Sequence, residues 1–518
     1  MKSGLKHIKE SKLEKEDIQG LVARGYQKLN SARYILLQIT NANLAKEYFQ
    51  ELIKNNYITT ADVVGNKFAE SNDPETAVQI AFTSSGLHNL GLPPTIINTF
   101  SREFIEGMCH TWKTCENKTI KERSTLLGDT RNNQPEYWIW GNKDNYVDCM
   151  LMLYAEDNKA LEVLIENVYT KLQKGVELAY MGETFQYHSH ISKEHFGFRD
   201  GIAQPIIKGL SKSDSHENKD NLINPGEFIL GYKNEYDSYS PSPCVDLDKY
   251  NNQLPDYRQH KGKKDLGKNG SYLVFRQIEQ HVEKFWQFHY DHSKEAATSH
   301  TGRAVKLASK MIGRWPDGQP LVTCGEGGCP MDEKELDKFS YHKMDRDGVR
   351  CPLGSHIRRT NPRDQLHTIS DCDTATEMVK KHRMLRRGRI YGAPVDDLFD
   401  VDSILKKVKN TERVKKPEGK TEIKRGLHFI CLVSDISRQF EFVQNVWANT
   451  STFGNLCNEV DPIISPRPTD DQPDCHEFTT PQDIVRNRYT GVPEFTTVVG
   501  GAYFFMPGIK ALRYIVRS

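Results

Sequence analysis

The succession of hydrophobic periods along the chain, rather than any one motif, limits the fold most tightly. From residue 18 the stretch IQGLVARGYQKLNSARYILLQI alternates polar and apolar, turns at 29–31 and resumes as an apolar run, which suits a strand entering a sheet. Residues 42–54 carry Leu44, Tyr48, Phe49 and Leu52 at helical spacing. Residues 76–92 return to a strand and then a short helix ended by Gly91 and Pro93. Residues 146–155 read as a strand and 158–172 as a helix with apolar residues at Leu161, Val163, Leu164 and Val168. Strand, helix, strand, strand, helix, strand is the split βαβ order of a ferredoxin-like unit, with helices on one face of an antiparallel sheet.

The second half repeats that order. Residues 228–232 (FILGY), 271–277 (SYLVFRQ) and a helix over 281–289 make one set, and a strand over 426–434 followed by a helix over 438–447 makes another. No repeat of individual residues accompanies it, so the duplication rests on element order. The expected fold class is α+β, built from two ferredoxin-like units. The chain of 518 residues is longer than one core usually serves, and it divides at 1–225 and 226–518. Four polar tracts, 211–226, 241–268, 324–347 and 408–424, are read as long loops, with lids slightly favoured over linkers.

Seventy Lys and Arg against 69 Asp and Glu leave a net charge of +1, which gives no electrostatic reason to expect a nucleic-acid or membrane partner. The Lys-rich run 406–424 is read as a solvated loop. No segment is apolar over the length a bilayer requires, and the Lys- and Glu-rich start MKSGLKHIKESKLEKED lacks a secretory pattern. Eleven cysteines, an odd number, fit free thiols in a reducing compartment, so the expected location is cytoplasmic. A zinc site at Cys324 and Cys329 (CGEGGC) is a minority reading, because no second pair accompanies them.

Chemistry concentrates between residues 351 and 392. CPLGSHIRRTNPR places His356 between a Cys-Pro turn and arginines, and MLRRGRIYG supplies Arg386, Arg387 and Arg389. Imidazole is a common ligand of haem iron, and arginines suit both haem propionates and a developing oxyanion. A lone histidine is more often a hydrogen-bonded core residue, and arginines at a helix end more often complement its dipole. That plainer reading is kept for Arg387 and Arg389. A second constellation, HFGFRDGIAQP over 195–205, brackets Asp200 with Gly197 and Gly201, so that the backbone could approach a flat ligand. By itself an Asp-Gly pair is usually only a turn.

Taken together, GFRDG with its trailing IAQP, HIRRTNPR and LRRG closely resemble the dye-decolorizing peroxidases, a haem enzyme family. Lesser likenesses at DIQGLVARGYQKL, IAFTSSGLHNLGLP and FEFVQNVWANTSTFG extend the resemblance over most of the chain from about residue 17. The resemblance implies a dimeric α+β barrel type of fold, a pair of ferredoxin-like units with haem in the C-terminal one. It further implies one non-covalent haem b per chain, since CxxCH is absent, with hydrogen peroxide as oxidant and an aromatic reductant such as a dye or phenol.

Residue by residue, His356 matches the proximal iron ligand and Asp200 the distal acid that moves a proton on peroxide. Arg386 matches the distal arginine that stabilises departing negative charge. Gly201, Ile202 and Ala203, with Asn361, Pro362 and Arg363, match haem-contacting positions, Arg363 as a propionate partner. The acceptor for the second nitrogen of His356 is left open among Asp435, Glu441 and polar groups near Asn449. Trp286 and Trp447 are read as core residues. A homo-oligomer is left open. The rival reading is a haem-binding or haem-handling protein of deferrochelatase type on the same scaffold.

Overall fold

The computed structural model describes residues 12–62, 74–109, 123–185, 193–210, 219–248, 253–293, 300–325, 332–366, 372–413, 423–467, 477–481 and 485–517. Nine strands form its principal sheet. In chain order they are β1 (Ser31–Ile39), β2 (Thr76–Phe82), β3 (Cys149–Ala155), β4 (Val176–Glu183), β5 (Ser271–Gln280), β6 (Leu385–Arg386), β7 (Arg389–Tyr391), β8 (Gly426–Val433) and β9 (Thr496–Met506). Across the sheet the order is β6-β8-β5-β9-β2-β3-β1-β4, with β7 continuing the β6 edge along β8. In each half the first strand lies between the fourth and the third, and the second lies outside the third. This is the ferredoxin-like arrangement twice over, with every pairing antiparallel.

The halves meet through β2 and β9, where Phe82 faces Phe505. The sheet then curls until its outer edges touch. The Phe185 amide just past β4 donates to the Ile390 carbonyl on β7 at 2.9 Å, and the Arg389 guanidinium donates to the carbonyls of Leu29 (2.6 Å) and Tyr26 (2.7 Å). Curling in this way removes exposed strand edges.

Period-two alternation sorts the strands' apolar residues into two cores. Tyr34, Leu36, Met150, Met152, Phe275, Ile430 and Phe504 share one cluster, inside the curl. Their neighbours Ile35, Leu37, Leu151, Leu153, Val274, Cys431 and Phe505 share the other, with Tyr48, Phe49 and Leu52 of the helix Ala42–Lys54 and Leu161 and Leu164 of Asn158–Ile165.

Most of the sequence-based elements appear where expected, and the differences are local. Residues 228–232 form a buried turn rather than a strand, with Gly231 at φ +82°. The helix read over 158–172 changes to a π turn at Glu166–Thr170, and the one over 438–447 is a pair of π turns, Ser437–Glu441 and Val443–Ala448. The lysine-rich tract read as a loop begins inside a helix, Val401–Arg413, and its residues 414–422 lie outside the described ones. Strand structure starts only at Ser31; the preceding stretch holds the short helix Gly20–Ala23. Arg387 and Arg389 lie on a sheet edge, not a helix end; Arg387 donates to the carbonyls of Leu21 (2.8 Å) and Val22 (3.1 Å). Trp286 and Trp447 are buried, as expected. Cys324 is disulfide-bonded, which corrects the all-thiol expectation at that position and removes its sulfur as a zinc ligand. Among the described residues Cys149, Cys244, Cys351, Cys431 and Cys457 are free thiols.

Candidate active site

On the C-terminal half of the sheet, alternate residues of three strands turn one face outward to floor a cavity. They are Arg276, Ile278 and Gln280 of β5, Leu427 and Phe429 of β8, and Thr496 and Val498 of β9. Its volume is ≈ 260 Å³. Ile312, Ile357, Met384, Phe440 and Ile463 supply apolar wall, as expected of a small-molecule site. His356, Asp200 and Arg386 all face it.

His356 opens the short helix His356–Thr360, behind Ser355 at the N-cap. Its Nδ1 lies 2.9 Å from Oδ2 of Asp461, a fully buried carboxylate whose other oxygen accepts the amides of Ile463 (2.8 Å) and Ile464 (3.0 Å). Burial by itself would push the imidazole pKa down, but the Asp461 charge and hydrogen bond outweigh it and hold it above its ordinary value. Burial likewise opposes ionisation of Asp461, and His356 with the two amides keeps that carboxyl below the usual range. Asp461 is therefore the acceptor left open by the sequence. The three candidates named there are engaged elsewhere: Glu441 with Arg123 and Tyr503, Asp435 with the Arg438 amide, and Asn449 with Gln444 and Ser465.

The two arginines after His356 hold this helix rather than the cavity. Arg358, wholly buried, donates to Asp345, Gln365 and the carbonyls of Cys351, Asp345 and Arg346. Arg359, also wholly buried, donates to the carbonyls of Trp447, Thr450 and Glu459.

Asp200 enters from the loop between β4 and β5. Its Oδ1 accepts the Gly201 amide at 2.6 Å and lies 3.3 Å from the guanidinium of Arg386, carried by the edge strand β6. Gly201 sits at φ +82°, a conformation that disfavours any side chain there. The Asp200 and Arg386 side chains are 50% and 33% exposed into the cavity, so a ligand can reach both. Their charges are felt at His356.

Gly201, Ile202, Ala203, Asn361 and Arg363 also line the cavity, and Pro362 is not among its lining residues. Arg363 is paired with Asp337 and stacked 4.0 Å above the ring of Phe339. Asp337 is shared with Arg314 at 3.2 Å and feels Arg383 as well. Three guanidinium groups around that carboxylate leave positive charge in excess on this side. Asp461, Arg314 and Asp337 carry no sequence motif, and only their folded neighbours reveal them.

The family model described as DyP dimeric alpha+beta barrel domain matches residues 17–184. The chain is 25% identical over 512 residues to dye-decolorizing peroxidase msp1 of Mycetinis scorodonius, covering 96% of this chain and 87% of that one. It is 24% identical to the dye-decolorizing peroxidase AauDyP1 of Auricularia auricula-judae, over 96% and 86% of the two chains. Residues 17–184 thus match the dimeric α+β barrel domain of the dye-decolorizing peroxidases, and nearly the whole chain is similar to members of that family. A solved dye-decolorizing peroxidase in complex with 2,6-dimethoxyphenol superposes with a TM-score of 0.71 at 21% identity, covering 98% of this chain and all of that one. The peroxidase fold seen above is therefore shared along the whole length.

Dye-decolorizing peroxidases depend on haem, and the cavity walls of this peroxidase fit that group on three counts. An imidazole fixed through Nδ1 leaves Nε2 for a metal. The walls are apolar where a macrocycle would lie, and the excess of guanidinium charge at one side suits carboxylates. Asn361 Oδ1 is buried there without a hydrogen-bond partner. Among the described residues no helix is long and apolar enough to cross a membrane.

Proposed function

We propose that this peroxidase holds one non-covalent haem b per chain in the cavity and uses hydrogen peroxide to oxidise aromatic reductants. The observation that carries this reading is the convergence of a His356–Asp461 pair and an Asp200–Arg386 pair on one apolar cavity. Haem, when bound, supplies the redox-active iron that cleaves the peroxide O–O bond and withdraws electrons from the reductant.

The rest is done by side chains. His356 would hold the iron through Nε2, and Asp461, by accepting a hydrogen bond from Nδ1–H, would make the imidazole a stronger donor. Asp200 takes a proton from hydrogen peroxide and returns it to the oxygen that leaves as water. Arg386 stabilises the negative charge developing on that oxygen, and its bond to Asp200 keeps the carboxylate directed at the same point. Gly201, Ile202 and Ala203, which line the cavity, would pack against the ring. Arg363, with Arg314 and Arg383 behind it, and Asn361 and Pro362 beside it, serves the propionate edge.

In this reading the chain divides near residue 225. The segment 1–225 brings β1–β4 and the Asp200 loop, and 226–518 brings the cavity floor and His356. A phenolic reductant is the class favoured by the 2,6-dimethoxyphenol complex of the related structure.

The test is spectroscopic. Protein expressed with added haem should show a Soret band that shifts on peroxide addition. Asp200→Asn and Arg386→Leu should retain the band and slow the shift by about 100-fold or more, whereas His356→Ala should lose or weaken haem. Absence of haem overturns the proposal, and haem that ignores peroxide points instead to a haem-handling protein.

A further inference from the structure

Glu194 faces the same cavity, six residues before Asp200, and has no part in the roles assigned above. Its two carboxylate oxygens are divided between two backbone amides. Oε2 accepts the amide of Phe196 at 2.8 Å and Oε1 that of Phe198 at 3.1 Å. The side-chain amide of Gln280, at the end of β5, donates to Oε2 and ties the carboxylate to the sheet. The main chain closes the loop as well, through Glu194 N to Phe198 O (3.0 Å) and Gly197 N to Glu194 O (2.8 Å). Gly197, at φ +91°, makes this turn possible.

The other side of the loop is held by rings. Phe196 stacks on Phe285 with centroids 4.2 Å apart, Phe198 lies parallel to Trp286 at 6.2 Å, and Trp286 Nε1 donates to the Phe196 carbonyl at 3.2 Å. The backbone N–H groups of Phe196 and Phe198 are directed at the carboxylate. A glutamine in its place would offer one acceptor and set its own amide hydrogens against a backbone donor.

We infer that Glu194 is a positioning residue: its carboxylate clamps the 196–198 turn to β5 so that Asp200, two residues on, faces Arg386 at the cavity. The inference rests on the proposed role of Asp200 as the proton acceptor at the haem. Cyanide binding isolates that role from turnover, because hydrogen cyanide arrives as a neutral acid and must give its proton to a base as it binds.

Cyanide association with the ferric holoenzyme, followed by the Soret shift, should be at least about tenfold slower in Glu194→Gln at unchanged haem content. In the Asp200→Asn background the same change should have no further effect, since Glu194 acts through Asp200. A loss that multiplies across the double variant marks a general structural effect and overturns the inference. So does a wild-type rate in Glu194→Gln beside a slow Asp200→Asn, which leaves the Asp200 assignment standing. A wild-type rate in Asp200→Asn overturns that assignment and this inference with it. Should Glu194→Gln fail to hold haem, Gln280→Met releases only the tether to the sheet. It should slow cyanide about threefold or more, again without effect in the Asp200→Asn background, and a wild-type rate there overturns the clamp.

Discussion

Asp461 governs His356 from 105 positions further along the chain. A neutral acceptor in its place would leave the ring oriented but less electron-rich, so Asp461→Asn should keep haem, raise the iron reduction potential and slow the peroxide reaction about 10- to 100-fold; spectroelectrochemistry and stopped-flow absorbance check the two effects. Asp200, Gly201, His356, Asn361, Arg363 and Arg386, which line the cavity, were legible in the sequence because GFRDG, HIRRTNPR and LRRG are contiguous. Asp461 was not. It sits in a plain Glu-Val-Asp-Pro run, and what makes it the partner is burial beside His356 and two amides of the turn that follows. Glu194 escaped for the same reason, although it lies one residue before a block that was singled out.

Around the helix His356–Thr360, the sequence showed an arginine cluster but not its division of labour. Arg358 and Arg359 point away from the cavity and satisfy main-chain carbonyls of three separate segments. Removing one leaves several buried acceptors bare at about 1–3 kcal/mol each. Arg359→Met should therefore lower the thermal midpoint by several degrees and speed haem loss to a scavenger such as apomyoglobin. Strand and helix positions in each half followed from periodicity, to the residue for Ala42–Lys54. The failures have local causes. The FILGY stretch at 228–232 is apolar because it is buried as a turn. The second edge strand of the C-terminal half is broken at Gly388, where a Cβ would lie 2.6 Å from the His428 carbonyl oxygen, and two- and three-residue pieces carry no readable alternation.

For the molecule as a whole, pH acts through buried groups on both sides of neutrality. Burial pushes the imidazoles of His428 and His289 down to about 3 and that of His195 to about 4. Their folded values lie below the unfolded one, so their contribution is present above about pH 6.5 and is lost as pH falls toward 3. Glu194 has the opposite sign. Burial first, and then the Asp200 charge, push its carboxyl up to about 7, so its contribution is complete below about pH 4.5 and lost as pH rises through 7. Thermal midpoints measured from pH 4 to 8 should fall most steeply on the acid side. Both ring nitrogens of His428 are buried without a hydrogen-bond partner, and its ring stacks on Tyr391 at 4.6 Å. His428→Phe should accordingly hold or raise the midpoint at pH 7 and shallow the acid decline; a steeper decline would contradict this assignment. The position of β9 has a consequence in time. The strand made last lies in the middle of the sheet, between β5 and β2, and gives the cavity floor Thr496 and Val498. Synthesis from the N-terminus completes β1–β4 long before β9 emerges. A chain synthesised only as far as β8 thus carries a finished first half and a cavity floor without Thr496 and Val498, so the cavity is completed only once β9 has emerged.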